Sequence, residues 1–429
     1  MHATMTSAPG TTPVVLGLRE NWRQFWLLVL VNAFVGAMIG LERTVLPLLA
    51  EREFGLASSS AAMSFIATFG VVKALMNFAA GRLGDAYGRR RVLIGGWIVA
   101  IPIPFMVIWA PTWSWILAAN VLLGINQGLT WSTTVIMKVD LAGPRQRGLA
   151  MGLNEFAGYL AVALTALATG YIAARYGLRP EPFYLGIAIA AAALAVVVLF
   201  VRETEPHAAL EGRLHDETRP GNAVSKPDPR EVFARMTWRD PALTNISQAG
   251  MVNNLNDGLA WGMFPLFFAA AGLTVAQIGT LAFLYPAVWG ALQLVTGSLS
   301  DRHGRKWLIA GGMLLQGAAL FAIAKGTSYG EWAAASVVLG AGTAMVYPTL
   351  LASIGDTAHP AWRGSSIGIY RMWRDSGYVV GAIVGGIAAD LLGMSAAIRI
   401  VAALTVVSGL LVVWRMPETR PRIRIAAER

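Results

Sequence analysis

Residues 81–96 read GRLGDAYGRRRVLIGG, and residues 297–312 repeat the pattern as GSLSDRHGRKWLIAGG, 216 positions later. The same offset aligns residues 121–148 with residues 337–364 and pairs Asp140 with Asp356. Similar segments at one constant separation are the sequence signature of a duplicated structural unit. The sequence therefore predicts two copies of one unit, and this duplication decides the fold.

The composition is that of a membrane protein. Of the 429 residues, 55% are hydrophobic and only 14% are charged, whereas an ordinary soluble protein has about a quarter charged residues. Apolar windows near the length of about 20 residues that a transmembrane helix needs occur twelve times. We number them spans 1 to 12: residues 24–50, 60–82, 92–109, 113–139, 148–173, 182–201, 242–270, 274–297, 307–324, 332–355, 365–391 and 395–414. Because lipid offers no hydrogen bonds to the backbone, each span is predicted to be a helix.

The basic residues indicate the orientation of the spans. The formal net charge is +10, and most of the 34 Lys and Arg residues lie in the two tails and in the loops after the even-numbered spans. Only Arg52, Arg175, Arg179 and Lys325 lie in the loops on the other side. Since positive residues stay in the cytoplasm, we expect both termini inside. The positive charge then orients the spans, and we expect no binding to nucleic acid.

Several classes of site are not expected. The chain has no cysteine, and its five histidines all lie in tails or loops, which argues against disulfides and against cysteine or histidine metal sites. No Walker A sequence for nucleotide binding is present. The apolar stretch after Gln24 is too long for the core of a signal peptide, so we expect it to remain as span 1. We predict no metal, no cofactor and no enzymatic activity.

The two halves also end alike, with RET at residues 202–204 and PET at residues 417–419. Residues 203–240 between them are rich in charge and proline, which is typical of a linker outside the membrane. We therefore predict an all-α integral membrane protein with one six-helix bundle in residues 1–202, a cytoplasmic linker in 203–240 and a second bundle in 241–429.

At the repeated motif the chain resembles the major facilitator superfamily of secondary transporters, whose signature between helices 2 and 3 has the form G-x-L-a-D-r-x-G-r-k. The residues that fit it are Gly81, Leu83, Asp85, Gly88, Arg89 and Arg90, and in the second copy Gly297, Leu299, Asp301, Gly304, Arg305 and Lys306. The resemblance implies two six-helix pseudo-repeats, a substrate site between them near the bilayer midplane, and alternating access. It also implies a gating role for Gly81, Asp85, Gly88, Arg89, Asp140, Gly297, Asp301, Gly304, Arg305 and Asp356. In the first copy of the motif, the glycines permit a tight turn, and we expect Asp85 and Arg89 to contact neighbouring helix ends such as Asp140.

Ten ionisable residues fall inside the spans, five acids and five bases: Glu42, Arg43, Lys73, Lys138, Asp140, Glu155, Asp257, Arg371, Arg374 and Asp375. A charge at the membrane centre costs about 2.5–3.5 kcal/mol on insertion scales, so ten unpaired charges would cost roughly 30 kcal/mol. A typical fold has only about 5–15 kcal/mol of net stability. These side chains must therefore face one another or water.

Span 11 contains the densest of these charges, in the sequence YRMWRDSGY at residues 370–378. At 100° per residue, Arg371, Arg374, Asp375 and Tyr378 share one face of a helix. We expect Arg371 to pair with Asp375 one turn away, which would leave the planar guanidinium of Arg374 to hold a carboxylate or phosphate. The alternative is a structural ion-pair cluster that ties the two halves together.

Polar residues on other spans extend this hypothesis. The candidate substrate contacts are Arg371, Arg374, Lys73, Arg43, Gln127, Trp131, Asn254, Trp261 and Tyr378, and the candidate proton-coupling acids are Glu155, Asp257, Glu42 and Asp375. Burial favours the protonated form of a carboxyl group, which suits it to proton coupling. Three alternatives remain open: an ion pair between Glu42 and Arg43, a pair between Lys73 and an acid of another helix, and hydrogen bonds from Asn154 or Asn254 to Glu155 or Asp257.

The leading hypothesis is a proton-coupled secondary transporter, working by alternating access in the cytoplasmic membrane as a monomer and carrying a small organic or inorganic anion. Export of amphipathic drugs is the main alternative, and the aromatic residues Trp131, Trp261 and Trp373 fit it as well. A membrane receptor or a lipid translocator built on the same scaffold is a third possibility. The expected partners are the small-molecule substrate, protons and the lipid bilayer.

Overall fold

The computed structural model describes residues 14–142, 147–218, 228–358 and 360–419, and within these ranges the chain forms helices and no strand. The α-helices in chain order are α1 (Trp22–Arg43), α2 (Val45–Arg52), α3 (Ser59–Ala62), α4 (Ser64–Tyr87), α5 (Arg89–Ala100), α6 (Pro102–Ile108), α7 (Trp113–Ala142), α8 (Arg147–Tyr176), α9 (Glu181–Phe200), α10 (Glu205–Thr218), α11 (Pro229–Ala234), α12 (Pro241–Ala270), α13 (Val275–His303), α14 (Arg305–Lys325), α15 (Tyr329–Thr357), α16 (Pro360–Leu392) and α17 (Met394–Arg415). A π-helical turn, Arg235–Arg239, joins α11 to α12.

The helices begin and end at residues whose chemistry explains the boundary. The side chain of Asp240 accepts hydrogen bonds from the backbone N–H groups of Ala242 and Leu243 and so caps the start of α12. Gly88 separates α4 from α5 with a φ of 88°, and Gly304 separates α13 from α14 with a φ of 96°. Only glycine adopts this backbone region without strain. The repeated glycine therefore produces the same sharp turn in both halves.

Helices stand at every predicted span, and ten of them are long and apolar enough to cross a membrane. Within the described ranges the structure thus supports ten membrane spans, and the count of twelve stays a prediction. The other two helices, α7 and α12, contain rows of polar side chains that are buried against neighbouring helices. These polar side chains therefore contact other helices of the protein rather than lipid. Their assignment as membrane spans and the cytoplasmic position of both termini stay predictions.

The two halves of the chain meet along two helix pairs, α8 with α13 and α4 with α16. We call the end of the molecule where α1 begins and α17 ends the linker end, and the opposite end the far end. At the far end the backbones touch: a Cβ on Gly279 would come within 2.9 Å of the Cα of Gly170, and one on Gly386 within 2.6 Å of the Cα of Ser60.

The same four helices have open space beside their glycines toward the linker end. Near that end each carries a glycine at which an added Cβ would meet nothing within 4 Å, namely Gly81, Gly152, Gly297 and Gly368. Among the residues that the structure describes, the close approaches between the halves thus lie in the middle and at the far end. Backbone contact between the halves therefore closes the far end, and these four glycines have open space beside them toward the linker end.

Candidate functional site

The middle of the interface between the halves contains a buried cluster of charged side chains. Its members are Glu42 and Arg43 from α1, Lys73 from α4, Glu155 from α8, Asp257 from α12, and Arg374 and Asp375 from α16. Each has at most 6% of its surface exposed. The sequence therefore predicted correctly that the charges of several spans converge, and we call these seven residues the central cluster.

The pairing on α16 differs from the sequence prediction. Asp375 pairs with its neighbour Arg374, whose Nε and Nη2 lie 2.8 and 2.6 Å from Oδ1. The expectation that Arg371 pairs with Asp375 and leaves Arg374 free is therefore wrong. The long Arg374 side chain folds back over a fully buried carboxylate, whereas Arg371 is only half-buried and its Nε has no hydrogen-bond partner among the described residues.

Asp375 also connects the two halves. The amide of Asn77 on α4 donates a short hydrogen bond to Oδ2, and the amide of Asn254 donates to Oδ1 over 3.3 Å. The hydroxyl of Ser132 donates to Asn77 over 2.9 Å and orients its amide. A buried carboxylate needs such donors because an unpaired charge in the interior is costly. Asp375 is thus fully engaged in the described structure.

Glu155 accepts hydrogen bonds from both halves. Trp131 Nε1 donates over 3.1 Å and Asn154 Nδ2 over 3.0 Å to Oε1, and the hydroxyl of Tyr347 on α15 donates to Oε2 over 3.3 Å. The same hydroxyl accepts from Arg374 Nη1 over 2.6 Å. Of the alternatives for Glu155, hydrogen bonding to Asn154 is therefore present. Its role in proton coupling stays a prediction.

Asp257 has a different partner from the one considered. The hydroxyl of Tyr285 on α13 donates a short hydrogen bond to Oδ1, while Asn254 donates to Asp375 instead. Oδ2 of Asp257 has no hydrogen-bond partner within the described ranges. The acid of α12 is therefore tied to its own half, with one oxygen unsatisfied.

Arg43 and Lys73 are the two bases of the central cluster that form no ion pair within the described part of the chain. The guanidinium carbon of Arg43 lies 4.1 Å from the ring centroid of Trp261. The ammonium of Lys73 lies 5.1 Å from the ring centroid of Tyr378 and 5.6 Å from that of Trp131. Such distances permit cation–π attraction, which leaves both positive charges without a carboxylate.

Glu42 is likewise unpaired. Both of its oxygens are buried without a hydrogen-bond partner in the described residues, and the nearby amide of Asn120 does not reach hydrogen-bonding geometry with them. No ion pair with Arg43 forms, so that alternative from the sequence is wrong. Neighbouring positions on a helix point about 100° apart, so the two groups do not reach ion-pair distance, although they remain close enough to attract each other.

Two further charged or polar candidates serve packing between helices. The amide of Gln127 donates to the backbone oxygen of Val35 over 2.9 Å and joins α7 to α1. The ammonium of Lys138 donates to the backbone oxygen of Leu28 over 3.0 Å.

Trp261 stacks on Tyr378 with 5.1 Å between ring centroids. The predicted contacts of α12 and α16 are thus adjacent in space.

The gating candidates form one cluster at the linker end of each half. In the first, Arg89 Nη2 lies 3.1 Å from Asp85 and its Nε lies 3.5 Å from Asp140, which also accepts from Thr204 over 2.8 Å. The predicted contact between Arg89 and Asp140 is therefore present.

The second cluster repeats the first, with Arg305 Nε 2.9 Å from Asp356. These positions are the repeat equivalents of Arg89 and Asp140. The side chain of Asp301 lies outside what the structure describes. Both clusters connect helices within one half, so each fixes the shape of its own bundle.

The profile of the Major Facilitator Superfamily matches residues 25–255 and 246–429 of the chain. The chain belongs to the major facilitator superfamily. It is 27% identical over 243 residues to a probable 4-methylmuconolactone transporter of Cupriavidus pinatubonensis, over 55% of this chain and 53% of that protein. It is 23% identical over 378 residues to the multidrug resistance protein MdtG of Enterobacter lignolyticus, over 85% of each chain. The crystal structure of the human organic anion transporter MFSD10 shares the fold, with a TM-score of 0.67 and 18% identity over 91% of this chain and 99% of that one.

Membership in this superfamily makes the protein a multi-pass membrane transporter of small molecules.

The transporter contains functional candidates that the sequence reasoning missed. Tyr347 is one, although a signal existed: it stands 216 positions after Trp131, and both donate to Glu155. Phe69, whose ring lies 5.4 Å from Arg43 and 5.5 Å from Lys73, had no signal. An apolar ring in an apolar span does not stand out.

The sequence reasoning also left open the role of the repeated glutamates after spans 6 and 12. In this superfamily member, Glu203 accepts from the backbone N–H groups of Arg89 and Arg90 over 3.2 and 3.0 Å and caps the start of α5. Glu418 caps α14 in the same way through Arg305, over 2.8 Å. A carboxylate at a helix N-terminus is favourable. The last helix of each half thus stabilises the turn of the repeated motif.

Outside the spans, the linker of the transporter is attached to the first bundle. The ring of His207 on α10 lies 3.3 Å from the side-chain oxygen of Asn21, just before α1. Burial in this contact lowers the pKa of His207 below its ordinary value. Residues 219–227 of the linker lie outside the described ranges.

Proposed function

We propose that this superfamily member is a secondary active transporter that moves a small organic anion by alternating access, coupled to protons, with both termini and the linker in the cytoplasm. In this proposal residues 1–202 and 241–429 are the two moving bundles, residues 203–240 join them, and the protein works as a monomer in the cytoplasmic membrane.

One observation carries the proposal: the buried cations Arg43 and Lys73 face the interface between the halves without a carboxylate partner. A buried charge is costly unless it is paired. An anionic substrate would supply the direct ion-pair partner that both cations lack, which is why these two residues replace Arg374 as the proposed anion seat. Arg374 is already paired with Asp375 and would support the seat from behind.

The surroundings of the two cations favour an organic anion over an inorganic one. The rings of Phe69 and Trp261 lie near Arg43. The rings of Phe69, Trp131 and Tyr378 lie near Lys73. Such rings offer apolar contact area that sulfate or phosphate cannot use, whereas a carboxylate with a flat apolar body could use the cations and the rings together. The likeness to a probable 4-methylmuconolactone transporter agrees with this substrate class.

Proton coupling follows from the unpaired acid beside the seat. Glu42 is buried with no hydrogen-bond partner in the described structure and is adjacent to Arg43 in the chain. A proton on Glu42 would remove a negative charge next to the seat and so strengthen anion binding, and by linkage a bound anion would strengthen proton binding. Glu155, Asp257 and Asp375 remain further candidates for the same role.

The test begins with the purified protein and a thermal-shift screen of benzoate, citrate, acetate, phosphate and sulfate. The best binder is then used in liposomes, where its uptake and the accompanying proton flux are measured. A charge-assisted hydrogen bond contributes about 1.5–3 kcal/mol, so Lys73→Gln and Arg43→Gln should each lower anion affinity by roughly tenfold or more. Arg399→Gln, an exposed charge on α17, is the control and should transport normally.

Undiminished transport in both Lys73→Gln and Arg43→Gln would remove the proposed seat. A shift with phosphate or sulfate alone would contradict the organic substrate class. Anion uptake without proton movement would contradict the coupling while leaving the seat in place.

Drug export is the second candidate, supported by the likeness to the multidrug resistance protein MdtG and by the aromatic rings. The unpaired positive charges of Arg43 and Lys73 would repel a cationic drug. Ethidium efflux from cells that express the protein separates the candidates, because an exporter of amphipathic cations would lower ethidium accumulation and an anion transporter would not.

A further inference from the structure

A basic cleft lies at the linker end of the first half, away from the central cluster. Its volume is about 610 Å³, and it opens between the start of α1, the start of α5 and the end of α9. Arg23, Arg90 and Arg202 contribute one guanidinium from each of these places. Three cations around one hollow form a site for an anion.

The one acid of the cleft does not neutralise these arginines by direct pairing. The carboxylate of Glu203 accepts from four backbone N–H groups, including those of Thr204 and Glu205, because it caps α5. Arg90 donates through Nη2 to the backbone oxygen of Val198 over 2.7 Å, and its Nε is buried without a hydrogen-bond partner in the described ranges. Arg23 and Arg202 are exposed and form no ion pair with a described residue.

The cleft lies at the ends of candidate membrane spans, where we expect the headgroup level of the bilayer. The helices that border it are the ends of three candidate spans, Trp22–Arg52, Arg89–Ile108 and Glu181–Phe200. Large apolar side chains beside it are exposed, among them Trp26 and Phe200. Tryptophan and other aromatic side chains concentrate at the headgroup level, and apolar side chains here would face acyl chains.

The second half does not repeat the arginines, although it repeats the fold. The positions that correspond to Arg23 and Arg202 are Pro241 and Pro417, and only Lys306, which corresponds to Arg90, is basic. Other basic residues stand at this end of the second half, Arg239 and Arg415 among them, but not at the positions that line the cleft of the first half. The three arginines therefore indicate a specific function of the first half.

We propose that this cleft binds the phosphate of an anionic phospholipid, with its acyl chains lying against the exposed apolar side chains of α1 and α9. Arg23 and Arg202 contact the phosphate from the open side, and Arg90 lines the wall of the cleft and contributes its positive charge. The proposal is independent of the transported substrate, because no residue of the cleft belongs to the central cluster.

The experiment places the full-length protein in vesicles with equal amounts of phosphatidylcholine and phosphatidylglycerol, extracts it in mild detergent, and counts the retained lipids by mass spectrometry. Each basic residue near a membrane surface strengthens the binding of anionic lipid by a factor of about five. The double variant Arg23→Gln/Arg202→Gln should therefore lower the retained ratio of phosphatidylglycerol to phosphatidylcholine by roughly 25-fold. Arg23→Lys/Arg202→Lys keeps the charges and should retain most of the preference.

The matched control is Lys306→Gln/Arg415→Gln, which removes two charges from the same end of the second half and should leave the ratio within about twofold of the unmodified protein, since neither residue lines the basic cleft. An equal fall in this control, or no fall in Arg23→Gln/Arg202→Gln, would overturn the proposal. Displacement of the retained lipid by millimolar glycerol 3-phosphate would also overturn it, because the site would then take a free phosphate ester.

Discussion

Asp390 links the two halves of the transporter at the far end. It lies near the end of α16 and accepts hydrogen bonds from the start of α3 in the other half. The donors are the hydroxyl of Ser58 over 2.7 Å, the backbone N–H of Ser59 over 2.6 Å, and the backbone N–H and hydroxyl of Ser60 over 3.2 and 2.5 Å. If the far end opens, all four bonds must break.

The magnitude follows from these contacts. Asp390 is exposed to solvent, so each bond is assigned the low end of the net range, about 0.5 kcal/mol. Four bonds give about 2 kcal/mol, which corresponds to roughly a 30-fold change in the ratio of closed to open molecules. We expect Asp390→Ala to shift the equilibrium by this factor and Asp390→Asn by less, because asparagine retains one acceptor oxygen.

The assay measures the separation of the two halves at the far end. Because the chain has no cysteine, Tyr176→Cys on α8 and Ala271→Cys after α12 give one pair of exposed positions for spin labels. Double electron–electron resonance in nanodiscs then reports the populations of short and long distances. Glu51→Ala is the matched control, since it removes an exposed acid at the same end that makes no described contact with the other half.

A distance distribution in Asp390→Ala that matches the Glu51→Ala control would refute the reasoning. It would show that backbone packing alone, such as that of Gly170 on Gly279, keeps the far end closed. A shift toward long distances in both variants would instead attribute closure to the total charge at this end rather than to the four hydrogen bonds.

Three further changes test other contacts. Glu203→Ala and Glu418→Ala each remove a helix cap, so each should lower the free energy of unfolding by about 0.5–2 kcal/mol. The measurement is a fall in the midpoint of thermal unfolding. Equal midpoints in the two variants and the unmodified protein would contradict the capping role. Tyr347→Phe removes the hydroxyl that joins Glu155 to Arg374. Transport should fall about tenfold or more, because a buried hydrogen bond to a charged group contributes about 1.5–3 kcal/mol. Full transport would show that this connection is dispensable. Gly279→Val places atoms against Gly170 and should cost about 1–3 kcal/mol, seen in the same spin-label assay as opening of the far end; an unchanged distribution would show that the helices can adjust.

The repeat made most of the fold predictable. Gly88 and Gly304 have no side chain and appear at one offset, so a sharp turn at each could be inferred, and both adopt a positive φ. The contact of Arg89 with Asp140 followed from the same motif and is present. Features that depend on one helix, or on two equivalent helices, were therefore accessible from sequence.

The pairing inside the central cluster was not accessible in this way. Helical spacing favours Arg371 as the partner of Asp375, yet Arg374 occupies that position because helices α4 and α15 place Asn77 and Tyr347 around the pair. The choice between two arginines depends on donors from the other half and from a distant helix. No periodicity within one span encodes that arrangement.

The charges of the central cluster constrain the stoichiometry of transport. With every member ionised, the central cluster has four acids and three bases, and Lys138, buried and close enough to Glu155 to attract it, is a fourth base, so these buried charges balance. Burial penalises net charge in the loaded and the empty protein alike. Each negative charge that the substrate brings should therefore enter with one additional proton, so that both forms cross the membrane with the same net charge.

This reasoning predicts electroneutral transport, with as many protons as the anion has charges. In liposomes that contain the transporter, a pH gradient should drive uptake of the bound anion, and a membrane potential imposed with potassium and valinomycin should change the initial rate by less than about twofold. Glu42→Gln removes one of the titrating acids and should abolish the pH dependence if that acid carries the proton. A rate that follows the imposed potential would mean that the loaded and empty proteins differ in net charge, and the balance of buried charges would then not govern the transport cycle.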